Sequence, residues 1–192
     1  MPPRFIQVLI VVSLMWLSWL AMMVVHEAGH VLAARSTGGT VRRVIWHPLV
    51  ISRTDVRPNP RPRIEVWAGP IFGIVLPVLV AALGTLLRVR WTYLFWFFAG
   101  FCLIANGAYI GIGVFHPVGD AHELVALDTP RWALALFGFP AVVAGIWIWD
   151  RVSTRLGFGK IPRPIDVRHA TMTFFIALIL TAVAFAFGHR GM

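Results

Sequence analysis

The sequence is short of charge: only 13% of its 192 residues are Asp, Glu, Lys or Arg, against 58% hydrophobic residues and a mean hydropathy of +0.78. A soluble domain of this size needs far more polar surface. That class is therefore excluded, and residues 1–192 read as one polytopic membrane domain. Acids are scarcer still, eight against 17 Lys and Arg, which leaves a net charge of +9. The excess falls in arginine-rich loops and forms no stripe along a helix. It fits the charge bias of membrane loops and argues against a nucleic-acid partner. There is one cysteine, Cys102, in an apolar stretch, so no internal disulfide staples the chain. A small-residue cleavage site is also missing after MPPRFIQVLIVVSLMWLSWLAMMVV, whose apolar core is too long for a signal peptide. This run reads as a retained transmembrane helix. Internal repeats and low-complexity tracts are lacking too.

What is present is a series of five apolar segments, roughly 5–34, 65–87, 91–115, 131–149 and 169–188. Each is near or above the ~20 residues that cross hydrocarbon. The first would be about 45 Å long if helical throughout, enough to span and project beyond the bilayer. Trp91, Trp132, Trp147 and Trp149, near segment ends, fit interfacial anchoring. Only RVR, residues 88–90, joins the second and third segments, which predicts a tight helical hairpin. The expected architecture is all-α, with a three-helix core and accessory helices over 128–192.

The first loop, residues 36–63, opens with two β-branched stretches, Thr40–Trp46 and Leu49–Ser52, separated by His47-Pro48. A short β-ribbon is expected there, followed by an irregular stretch through Pro58, Pro60 and Pro62. Seven arginines, Arg35, Arg42, Arg43, Arg53, Arg57, Arg61 and Arg63, argue that this loop faces the cytoplasm. Arg151, Arg155, Lys160, Arg163 and Arg168 follow the fourth segment, which five spans would place on the opposite side. The expectation is a multi-pass protein of the cell membrane with its site nearer the cytoplasmic face.

The chemistry concentrates in VVHEAGHVLAAR, residues 24–35, where His26, Glu27 and His30 interrupt an apolar run. An ionisable group inside hydrocarbon costs about 2.5–3.5 kcal/mol on insertion scales. Three together ask for a shared purpose. On a helix, residues four apart share a face. His26 and His30 can thus reach one zinc ion while Glu27 addresses the water beside it as general base. A lone membrane histidine is more often a helix–helix hydrogen-bonding group. The full HExxH spacing favours a metal site over that simpler role. Ala28, Gly29, Ala33 and Ala34 add a small-residue surface for close helix approach, as does WAGPIFG, residues 67–73.

Two histidines leave a catalytic zinc site one protein ligand short. Counting spans brings the end of the third segment, GVFHPVGDAHELVAL, back to the depth of His26 and His30, and Asp120 with it. Asp120 can instead be an N-cap, since DAHE has the spacing of a capping box with Glu123. His122 and His116 are rival ligands, and Glu123 could orient a ligand from outside. Asn106, in IANGAYIGIG, could hydrogen-bond a substrate backbone or serve as an interhelical contact.

These residues resemble the site-2 protease group of intramembrane zinc metalloproteases. HEAGHVLAARSTGG is similar to its HExxH helix with a following glycine turn, AGP to its next-helix signature, and HPVGD to the segment that brings an aspartate. The likeness covers about residues 20–127. It implies a catalytic core over about 5–127, zinc held by His26, His30 and Asp120, and Glu27 as general base. It further implies cleavage of a membrane-embedded or membrane-adjacent protein after local unwinding, with room for a regulatory partner. The family's strand-addition edge would correspond to residues 40–53. The chain departs from the family in having Asn106 further upstream and Gly119-Asp120-Ala121 in place of Asp-Gly. The competing expectation is a noncatalytic membrane scaffold that binds metal, or a metal-handling protein.

Overall fold

The computed structural model describes residues 3–159 and 164–188. The elements run α1 (Pro3–Ser36), β1 (Val41–Ile45), β2 (Arg53–Val56), α2 (Pro62–Leu86), α3 (Thr92–Ile112), α4 (Asp120–Ala126), α5 (Arg131–Ser153), a 3-10 turn (Thr154–Leu156) and α6 (Val167–Gly188). All but α4 among the helices are long and apolar enough to cross a membrane. In hydrocarbon a helix is the open-chain structure that satisfies its own backbone donors and acceptors. The expected all-α multi-pass architecture with a short ribbon is what forms.

α3 packs against α2 and α5, and α1 against α2 and α6. The α3–α5 seam is built on glycine: a methyl group on Gly138 would lie 2.4 Å from Gly111 Cα. Small residues let the two backbones touch, which is how membrane helices gain contact without a hydrophobic driving force. The hairpin at 88–90 also forms. Val89 N–H reaches back to Gly84 O at 2.9 Å while Arg88 takes a positive φ of 54°, closing α2 with the bond pattern that usually employs glycine.

The antiparallel ribbon differs from expectation in its second strand. β1 pairs through Val44↔Thr54 and Ile45↔Arg53, so β2 is Arg53–Val56, and residues 49–52 form the reversal. The cause is a tether: Trp19 Nε1–H donates to Pro48 O at 3.1 Å, fixing the turn beside α1. Only the chain beyond it can return along β1. The reversal leaves Leu49, Val50 and Ile51 exposed.

Trp149 makes contacts within the bundle that the sequence did not indicate. Near the end of α5, it packs inward: it stacks on Phe97, centroids 5.1 Å apart, and donates Nε1–H to Phe97 O at 3.0 Å. Trp132 and Trp147 are outward-facing as expected.

The end of α1, the ribbon, the start of α2, the end of α3 and α4 gather at one end of the bundle. The arginines of the first loop and Arg151, Arg155 and Arg168 lie at opposite ends, so charge bias selects no orientation. Lys160 and Arg163 lie outside the described residues.

Candidate metal centre

His26 and His30 face the same direction from α1, with ring centroids 4.9 Å apart and Nε2 atoms 3.1 Å apart. Asp120, the first residue of α4, brings Oδ2 to 2.9 Å from His26 Nε2 and 3.4 Å from His30 Nε2. Tetrahedral ligands about 2.0–2.1 Å from an ion stand about 3.3 Å from one another. The three edges, 2.9 to 3.4 Å, lie close to or slightly inside that figure, and the group can hold a metal ion.

The outer ring nitrogens explain the orientation of the inner ones. Asn106 donates Nδ2–H to Cys102 O at 2.9 Å, which turns its Oδ1 toward His26 Nδ1 at 2.6 Å. His26 therefore carries its proton on Nδ1 and presents a lone pair at Nε2. His30 Nδ1–H is held by Glu65 twice, by the backbone O at 3.0 Å and the carboxylate Oε1 at 2.9 Å. Its Nε2 is likewise turned inward. Two lone pairs and a carboxylate oxygen aimed at one point repel each other unless a positive charge, a cation or protons on the imidazoles, sits between them. Burial by itself raises the pKa of Asp120; hydrogen bonding to His26 and His30 outweighs it and holds the carboxyl well below the usual carboxylate range.

Asp120 is not a cap. Gly119 precedes α4 with φ +52°, and no side chain caps the helix. The Asp120 backbone N–H instead donates to Tyr109 Oη at 3.0 Å. A side chain at Gly119 would begin 1.8 Å from that same oxygen, so glycine is required both for the turn and for the contact. His116 and His122 do not join the donor set. Glu123 lines a neighbouring polar cleft, and its pKa is raised by burial and then by the negative charges of Asp120 and Glu65.

Glu27, 3% exposed, accepts a hydrogen bond at Oε2 from Thr54 Oγ1 at 2.6 Å, so the ribbon touches the candidate base directly. WAGPIFG has an equally concrete job. A methyl group on Gly69 would lie 2.1 Å from His30 Nε2, one on Gly29 2.4 Å from Ala68 O, and one on Gly73 2.8 Å from the Asn106 amide. The small residues make room for the ligand rings and for the amide that orients one of them. Two cavities flank the group. An apolar one of ≈ 310 Å³ opens on His26, Asn106 and Tyr109, and a polar one of ≈ 490 Å³ is lined by Arg42, Thr54, Glu65 and Glu123 among others.

Of the residues expected from the sequence, His26, His30 and Asp120 converge, Glu27 lies beside them, and Asn106 is an interhelical contact that bonds His26. Glu65, Thr54 and Tyr109 were not anticipated. Glu65 had a signal, being the only acid between Asp55 and Asp120 and standing at the head of an apolar span. Thr54 and Tyr109 had none, because their role depends on ribbon register and on the turn at Gly119. No family model, curated protein or solved structure matches this chain, so its functional reading rests on the donor set and its surroundings.

Proposed function

We propose that the protein is an intramembrane zinc metalloendopeptidase of the site-2 protease kind, acting on membrane-embedded or membrane-adjacent proteins. The observation that carries this reading is the triangle of His26 Nε2, His30 Nε2 and Asp120 Oδ2, with edges of 3.1, 2.9 and 3.4 Å beside a buried glutamate. Two imidazoles and one carboxylate are a donor set suited to zinc with a fourth position left for water. When bound, zinc supplies Lewis acidity: it lowers the pKa of water toward ~7 and polarises a carbonyl.

The chain's own residues do the rest. Glu27 takes a proton from the attacking water and delivers it to the nitrogen of the breaking C–N bond. Thr54 holds Oε2, which leaves Oε1 as the proton-accepting atom. Asn106 and Glu65 keep both imidazoles in the ligating tautomer. The acids and histidines buried among the described residues, His26, Glu27, His30 and Glu65, lie near one end of the bundle. A transport route would instead distribute them across the bilayer.

The test is metal content and cleavage of a transmembrane peptide by purified protein. One zinc per chain is expected, and Glu27→Gln should retain it while cleavage drops by about 10²–10⁴-fold. Absence of zinc from carefully purified protein, or undiminished cleavage by Glu27→Gln, overturns the reading.

A further inference from the structure

We infer that the apolar cavity beside His26 is a side-chain subsite: it seats one large apolar side chain, of leucine, methionine or phenylalanine size, from the residue adjoining the bond to be cut. This rests on the peptidase reading and adds the specificity that reading lacks. The walls are Trp19, Met22 and Met23, which precede His26 on α1, Ala105 on α3, and Ile51 from the ribbon reversal. No carboxylate, lysine or arginine lines it, and its polar groups are confined to Ser52, His26, Asn106 and Tyr109, so a charged side chain would be desolvated there without an opposite full charge. The Trp19 indole N–H is already spent on Pro48 O, which leaves the ring as an apolar surface. Two methionines give the walls enough adaptability to accept more than one apolar shape.

The cavity volume of ≈ 310 Å³ is ample for a large apolar side chain. The polar cleft with Thr54, Glu65 and Glu123 flanks the donor set separately from this cavity. The favoured substrate sequence therefore has a large apolar residue on one side of the cut and polar residues on the other.

The probes are the hydroxamates of leucine, phenylalanine, alanine and aspartate, titrated calorimetrically into the zinc-loaded full-length protein in nanodiscs. The leucine and phenylalanine compounds should bind at least about tenfold more tightly than the alanine compound, with aspartate weakest. Ala105→Leu should erase that advantage, and zinc content read alongside separates loss of the subsite from loss of the metal centre. Ile51→Ala, at an exposed position with little folding cost, should reduce the advantage severalfold. Equal binding of the leucine and alanine compounds, or an advantage that survives both variants, overturns the subsite. Binding needs no turnover, so the two ideas fail separately. Side-chain discrimination by zinc-loaded protein that cuts nothing supports the subsite and sinks the peptidase; cleavage without discrimination sinks the subsite alone.

Discussion

A methyl group placed on Gly69 would sit 2.1 Å from His30 Nε2, 2.5 Å from Cε1 and 2.7 Å from Cδ2. Non-bonded carbon and nitrogen settle at about 3.5 Å, so in Gly69→Ala the imidazole must give way by more than about 1 Å. It has little freedom to do so cheaply, because Nδ1 is gripped by both the backbone and the side chain of Glu65. Metal–ligand distances tolerate only about 0.2 Å, and losing an outer-shell contact already weakens binding about 10–100-fold. Displacing a ligand atom itself should cost at least the upper end of that range, about 100-fold or 2.7 kcal/mol. The substitution improves helix propensity by about 1 kcal/mol at the same time. The expected signature is a protein of unchanged helicity that has lost its metal. Competition for zinc against a chromophoric chelator, with circular dichroism as the folding control and His30→Ala as the reference for a missing ligand, reads both quantities. A folded Gly69→Ala protein with wild-type zinc affinity would refute the idea that α2 was thinned to admit the His30 ring.

Asn106→Ala should weaken zinc about 10–100-fold without removing a ligand, because His26 loses the partner that fixes its tautomer; the same competition assay measures it, and unchanged affinity would show that the 2.6 Å contact is incidental. Glu65→Ala should fall in the same range, with Glu65→Gln closer to wild type since its amide oxygen still accepts from His30 Nδ1; equal affinity of both variants to wild type would remove Glu65 from the site.

Much of this arrangement could be read in advance where it depends on periodicity or on counting. The apolar segments fell within a few residues of the five long helices, because hydrocarbon demands length and hydrophobicity that few other contexts require. Tallying crossings brings Asp120 to the same side and depth as His26 and His30, and the family resemblance, not the tally, adds that it is a ligand. What escaped was set by single tertiary contacts. The second strand lay four residues later than expected because one indole–carbonyl bond moved the turn. Trp149 turned inward because Phe97 offered both a ring and a carbonyl. The alternative role of Asp120 as a cap gave way to a backbone contact with a phenol from α3, and Glu65 was overlooked because an acid near a helix start ordinarily needs no further explanation.

The contact of Gly111 with Gly138 has a mechanical consequence for the whole molecule. Where side chains interdigitate, a boundary between helices can loosen by rotamer exchange; where two main chains touch, there is nothing to rotate. α3 and α5 thus behave as one beam, and Asn106, on that beam, inherits its stiffness. The imidazole it steers is aligned from a fixed post, so adjustments that admit a large ligand fall to the ribbon.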